Sequence, residues 1–386
     1  MPRASRAEIF EPQEIAIVHT VQRCVRRAFL AGKDVVTGKN HEPRREWIRR
    51  RLEVLASVFG IDVLSYAILS NHMHLILRTR PDVVETWSDR EVAMRWLKLF
   101  PGRRLDEYLG QPTENDIQSL AADSRRLKQI RLRLSDISWF MRSASEPIAR
   151  MANREDQCTG RFWEGRFRAQ RIVDEAGLLA CSMYVDLNPV RAAMASTPEE
   201  SKHTSAYDRI RGLQGEHLPS LACEVVPIPV SRASAERKET PLSERRRKVS
   251  RRKRARSGRS ILRDAWLAPL TIRERGNPGA NPSRSGVRAS DKGFLGISLP
   301  DYLNLLDWTG RQGRPDKRGK IPESLKPILA RLGICGEMWS DLVWNFRKYF
   351  GRRAGTPDHL REEAASCDRH WHRGQRAARP CFAPVA

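Results

Sequence analysis

Nowhere in this chain of 386 residues does an apolar run approach the roughly 18 residues of a membrane-spanning helix. No basic amphipathic stretch of the kind that anchors a protein on lipid stands out either. The start, MPRASRAEIFEPQEI, lacks the apolar core of about 7–15 residues found in a secretory signal, so a cytoplasmic location with no membrane is expected. Cysteine is scattered: Cys24, Cys158, Cys181, Cys223, Cys335, Cys367 and Cys381 are odd in number and contain no C-x-x-C pair. Thiolate zinc sites and dithiol redox chemistry are therefore disfavoured, and reduced thiols are expected. No internal repeat is evident.

Acidic residues are in deficit. Against 70 Lys and Arg stand 46 Asp and Glu, a formal net charge of +24. With a pI near 10.5, the natural partner is an acidic polymer, and nucleic acid fits better than lipid. Apolar residues make up 40% of the chain, enough for a sizeable core in two or three domains or in one domain with long appendages. A charged fraction of 30% and a mean hydropathy of −0.57 point to some disorder as well.

Strand periodicity begins at Ile15 to Gln22, where Ile15, Ile17, His19 and Val21 share one face. A helix is expected over His41 to Phe59, with Pro43 near its start, Gly60 as its stop and Trp47, Ile48, Leu52, Leu55, Ala56 and Phe59 at helical spacing. Two strands, Val63 to Leu69 and His72 to Arg78, flank the turn Ser70-Asn71. Residues 80–133 read as a helical insertion, followed by a helix over Ile137 to Met151, a strand over Phe167 to Val173, and a helix from near Asp174 whose final turn holds Asn188 before Pro189. The order β-α-β-β-α-β-α predicts an α+β fold: a ferredoxin-like antiparallel sheet with helices on one face, a helical insertion and a C-terminal extension. The catalytic unit is expected over residues 10–200 and a basic, disordered linker over 201–290, with ten Lys or Arg between Arg245 and Arg259. An aromatic-rich accessory domain at 291–355 and a polar tail at 356–386 complete the organisation.

His72-Met73-His74 carries the sharpest chemistry, since residues i and i+2 of a strand point the same way and offer two imidazoles to one ion. Taken alone, the pair reads more readily as two histidines making ordinary strand-end hydrogen bonds. Tyr184 and Asn188, four apart, share a helix face. Alone they read as a core aromatic and a residue that ends a helix.

Together, Ser-Asn-His72-Met-His74-Leu, Gly160-Arg-Phe-Trp163-Glu-Gly-Arg166-Phe and Tyr184-Val-Asp-Leu-Asn188-Pro-Val-Arg191-Ala resemble the REP-associated tyrosine transposases, members of the HUH single-strand transposases. The resemblance covers roughly residues 10–80 and 135–200. It implies that His72, His74 and Asn188 are ligands of a divalent metal, Mg or Mn, and that Tyr184 is the nucleophile of a single-stranded DNA transposase and endonuclease working through a 5′-phosphotyrosine. Hairpin-forming repeats are the implied targets. Arg161, Trp163, Arg166 and Arg191 are candidates for DNA contacts, by phosphate binding or base stacking, with Trp163 packed beneath the sheet and the arginines as solvated surface charges as the equal alternative. His19 faces the histidine pair, either as a supporting group or as a structural histidine. A homodimer is compatible with the pattern. Two alternatives stay open: a nucleic-acid-binding regulator that has lost the reaction, and an HUH replication-initiator nuclease. The insertion and the long extension depart from the shorter family pattern.

Overall fold

The computed structural model describes residues 11, 13–25, 30–34, 38–101, 112–221, 260–273, 279–312, 329, 332, 334–336 and 338–382. Strand β1 (Ile17–Arg23) is followed by helix α1 (Pro43–Val58) and by the hairpin of β2 (Ile61–Ile68) and β3 (His72–Thr79). Proline suits the first turn of α1, where no backbone donor is needed, and Ile48, Leu52 and Leu55 form its buried stripe. Gly60 ends the helix where a Cβ would lie 2.2 Å from Val84 Cγ2. Leu69 N donates to His72 O at 2.9 Å and closes the hairpin at Ser70-Asn71, which makes His72 the first residue of β3.

Residues 80–133 supply α2 (Pro81–Glu85), α3 (Asp89–Leu99), α4 (Glu114–Ala121) and α5 (Ser124–Leu134). Ser88, Thr113 and Asp123 cap the last three, each accepting from a first-turn backbone N–H. Helix α6 (Ile137–Glu155), strand β4 (Arg168–Ile172), helix α7 (Glu175–Asp186) and the short α8 (Asn188–Arg191) follow. Pro147 inside α6 cannot donate to the carbonyl of Ser143, and Arg51 Nε takes its place at 2.9 Å.

The sheet runs β2-β3-β1-β4, antiparallel at each of those pairings. In the register His19 stands opposite Ile76 and Gln170, Val21 opposite His74, and Arg23 opposite His72. Helices cover both faces, not one. Helices α1 to α6 share a core with Val18, Leu75 and Leu77, whereas α7 packs with Leu64 and Ile76 on the other side. All eight residues of β2 are buried, and a strand without a solvent face requires a layer on each side.

Three further differences from the sequence reading bear on the site. Helix α7 stops at Asp186, and Asn188 opens α8 instead of lying in the final turn of α7. Pro189 in a first turn loses no hydrogen bond, so it starts a new helix rather than only ending one. After α9 (Ser205–Leu213) and the strand pair β5 (His217–Pro219) and β6 (Ser260–Leu262), the chain adds α10 (Leu299–Arg311), α11 (Trp339–Trp344) and α12 (Phe346–Tyr349). Strand β7 (Arg353–Ala354) then joins β4 in parallel, so the sheet is not wholly antiparallel.

Residues expected to form a separate aromatic-rich domain share one apolar cluster with α7, through Tyr302, Leu305, Trp339, Leu342 and Phe346. Tyr302 Oη donates to the buried carboxylate of Asp186 at 2.7 Å. Asp174, which caps α7 by accepting from Gly177 N, also accepts from Thr356 N at 2.6 Å. Described parts of 201–290 are packed too: Trp266 is fully buried against Tyr66, and Ser290 N donates to Asp62 at 3.0 Å. The basic run 245–259 and residues 383–386 lie outside the described residues. Among the described residues no helix is long and apolar enough to cross a membrane.

Candidate active site

Sheet register and helix α7 bring His72, His74, Tyr184 and Asn188 together. The rings of His72 and His74 are 4.8 Å apart, and His74 meets Tyr184 edge-on at 5.6 Å. Asn188 Nδ2 lies 3.5 Å from His74 Nε2 and donates to Tyr184 O at 3.1 Å, tying the end of α7 to the start of α8. His72, Tyr184 and Asn188 line one cavity of about 350 Å³.

A chain of hydrogen bonds sets the tautomer of each histidine. Gln170 Nε2 donates to Gly351 O at 2.7 Å, which turns Gln170 Oε1 toward His19 Nδ1 at 3.3 Å. An amide oxygen only accepts, so His19 carries its proton on Nδ1 and accepts at Nε2. His74 Nδ1, 2.9 Å away, must then donate to His19, leaving the lone pair of His74 on Nε2. His72 Nδ1 likewise donates to Asn71 Oδ1 at 2.6 Å, leaving its own Nε2 lone pair. His19, read from sequence as either supporting or structural, thus orients the second histidine of the motif.

Neutrality follows from burial. His72 is pushed down to about 4 by desolvation, with Arg347 and Arg23 adding repulsion. Desolvation likewise holds His19 at about 4 and His74 well below the usual histidine range. Near neutral pH the imidazoles are therefore unprotonated donors, the form that binds metals. Two such nitrogens and a neighbouring amide fit a divalent cation with positions left for phosphate oxygens. Asn188 presents its amide nitrogen to His74; turning the amide over places the oxygen there, at the expense of the two hydrogen bonds of Nδ2, about 1 kcal/mol each.

Tyr184 is buried, with its ring stacked on Phe346 at 5.6 Å and 25° and with Arg191 Cζ 5.8 Å above it. A second cavity of about 220 Å³ also has His72 on its lining, together with Arg23, Arg166 and Arg168. Arg347 borders both cavities, and Lys348 borders the one with Tyr184. The only carboxylate on either lining is Glu164, so among the described residues the cleft is strongly cationic.

The DNA-contact candidates separate. Arg166 and Arg191 line the cleft; Arg161 is exposed but lines neither cavity. Trp163 is a correction: it is 8% exposed, packs with Phe162, and its indole N–H donates to Ser145 O at 2.9 Å. Its large apolar surface is spent on the core, so it offers no face for a base. Sequence reasoning missed Arg23, Arg168, Arg347, Lys348, Gln170 and Phe346. Arg168 is in a strand already recognised and Arg23 is one residue beyond the strand read over Ile15 to Gln22, so the alternation that exposed His72 could have placed them. For Phe346 and Arg347 the only signal was aromatic richness.

His41, Glu155 and Asp156 also hold ligand atoms within 4.8 Å of one another. Arg44, fully buried, donates to Glu155 Oε2 at 2.5 Å and pairs with Asp156, so a guanidinium already neutralises those carboxylates.

No family model matches the chain, and no curated protein matches it. A solved structure described as a REP-associated tyrosine transposase bound to a REP hairpin is similar at 11% identity. The alignment covers 58% of this chain and 93% of that one, with a TM-score of 0.30, a superposition too loose to carry an assignment.

Proposed function

We propose that the protein is a metal-dependent nuclease and strand-transferase for single-stranded DNA, with a ferredoxin-like catalytic sheet, Tyr184 as nucleophile and His72, His74 and Asn188 as ligands of Mg or Mn. One observation carries the reading: a buried tyrosine shares a cationic cavity with His72 and meets His74 edge-on, and both histidines are neutral with Nε2 lone pairs fixed by neighbours. A structural histidine cluster has no need of six flanking cations, whereas a phosphodiester site does.

Arg347, Arg191 and Lys348 attract the backbone of an unpaired strand and offset the charge of one phosphate beside Tyr184. Phe346 and His74 hold the phenol ring on two sides, which restricts its approach to the open cavity. A divalent ion held by His72, His74 and Asn188 would supply Lewis-acid polarisation of the phosphate and stabilisation of the departing oxygen. The Tyr184 oxygen bonds to phosphorus, the bond from phosphorus to the strand's 3′-oxygen breaks, and the phenolic proton leaves to water. No carboxylate lines this cavity among the described residues, so none of its side chains is assigned as a dedicated base. Because the tyrosyl phosphodiester keeps the bond energy, the 3′-hydroxyl can attack it and reseal the strand. Hairpin-forming repeats are the proposed targets.

The test mixes the protein, manganese and labelled hairpin oligonucleotides from repeats flanking its coding sequence, then denatures the mixture. A covalent adduct lost in Tyr184→Phe and in chelator supports the reading. Tight binding with no adduct on any repeat replaces it with that of a nucleic-acid-binding regulator.

A further inference from the structure

Trp371 is the most exposed of the large apolar side chains among the described residues, at 66%. A loop anchored at both ends holds it in water. Helix α13 (Pro357–Ser366) closes where Asp368 takes φ +52° and Arg369 N donates to Ala364 O at 2.8 Å. A left-handed residue with a hydrogen bond back across the last turn ends a helix and fixes the direction of the chain that leaves it. After Trp371, His372 is buried. Gly374 then takes φ +114° before the short helix α14 (Gln375–Ala378), where a Cβ would lie 2.9 Å from Phe350 Cδ1. The usual preference is inverted here, with the imidazole inside and the larger, more apolar indole outside.

This loop adjoins the candidate site. Arg373 Nη2 donates to Lys348 O at 3.4 Å, and a Cβ on Gly351 would lie 3.1 Å from Arg373 Cβ. Lys348 lines the cavity of Tyr184. Trp371 is two residues from Arg373, a span of at most about 7 Å. From Arg369 to Arg379 the chain carries four arginines and no acidic residue. All four are exposed, as are Arg347 and Lys348.

We infer that Trp371 is a stacking platform for one unpaired base of the single-stranded DNA that reaches the cleft, with Arg373 and its neighbours binding the backbone beside that base. The inference rests on the single-stranded DNA partner of the proposed function and adds a base contact on the C-terminal extension, outside the cavity of Tyr184. Every base has a face that an indole can stack on, and arginines hold phosphates of any sequence, so the platform adds affinity with little sequence choice. Bases in a duplex are already stacked on one another and must be unstacked at a cost, so the platform favours unpaired strands.

The experiment measures binding of a fluorescent single-stranded oligonucleotide to the full chain by anisotropy over a salt series, in chelator so that no adduct forms. Trp371→Ala is expected to weaken binding about 5–150-fold, the range that stacking of one base supplies, with an unchanged salt slope. Trp371→Phe keeps most of the affinity. Arg373→Ala instead flattens the log–log slope by about 0.7. Abasic sites stepped along the oligonucleotide should weaken binding to the parent at one position, and Trp371→Ala should no longer respond to an abasic site there. Parent-like binding by Trp371→Ala, or a loss that no abasic position reproduces, overturns the inference. A parent dimer that Trp371→Ala converts to a monomer in sedimentation also overturns it, by giving the indole to a second copy of the chain. In each of those cases a manganese-dependent adduct on Tyr184 leaves the nuclease reading standing. A parent that binds no single-stranded oligonucleotide overturns the DNA partner of the proposed function, and this inference with it.

Discussion

Replacing His19 by leucine probes the hydrogen-bond chain behind the histidine pair. The ring accepts from His74 Nδ1 at 2.9 Å and faces Gln170 Oε1 at 3.3 Å, and all three residues are buried. Leucine leaves one donor and one acceptor unpaired away from water, at about 1–3 kcal/mol each, so about 2–6 kcal/mol of stability should be lost near pH 7.5. At low pH the comparison changes. Burial holds His19 at about 4, below the 6.5 of an exposed histidine. As pH falls through that window the unfolded chain takes up a proton that the folded one refuses, and the folded state loses about 3 kcal/mol at about 1.4 kcal/mol per pKa unit. Leucine has no such proton. The gap between variant and parent should therefore shrink by about 3 kcal/mol between about pH 7.5 and about pH 4. Both proteins weaken in acid, because His72 and His203 are also held at about 4 by burial. Urea unfolding followed by tryptophan fluorescence at the two pH values measures the gap. The same variant should bind manganese about 10–100-fold more weakly, because His74 loses the partner that fixes its tautomer. A gap that stays constant with pH, together with unchanged manganese binding, would refute the hydrogen-bond chain.

Phe346→Ala removes a fully buried ring stacked on Tyr184 and should destabilise the fold by about 3–5 kcal/mol, read as a lower urea midpoint. Asp208 is buried between Arg49 and Arg263 and accepts from Tyr66 Oη at 2.7 Å. Asp208→Asn strands those charges and should cost about 3–5 kcal/mol, whereas Glu114→Gln, in an exposed pair with Arg90, should leave the urea midpoint unchanged. Arg347→Ala should weaken binding of a single-stranded oligonucleotide across sequences and flatten its salt dependence by about 0.7 in log–log slope, measured by anisotropy over a salt series.

Much of the five-stranded sheet was legible because its signals are local. Alternation put His72 and His74 on one face, and a two-residue turn fixed which residue begins β3. Spacing of four likewise brought Asn188 beneath Tyr184, although the pair spans the junction of two helices. Non-local closure was not legible. Phe346 reaches Tyr184, and Gly351 reaches Gln170, across more than 150 residues of sequence, and neither pairing leaves a periodic trace. Trp163 shows an ambiguity that spacing does not resolve: an aromatic between basic residues reads as a stacking platform or as a core residue, and the carbonyl of Ser145 and the core took it inward. Helices on both faces could have been inferred from Ile61–Ile68, whose apolar run interrupts strict alternation.

The most direct test of the central claim is to digest the manganese-dependent protein–DNA adduct with nuclease and protease and to sequence the nucleotide-bearing peptide by mass spectrometry. The account predicts a phosphodiester-linked nucleotide on Tyr184, in the peptide that runs on to Asn188. A nucleotide on any other residue, or none in preparations that bind the same DNA tightly, would contradict it.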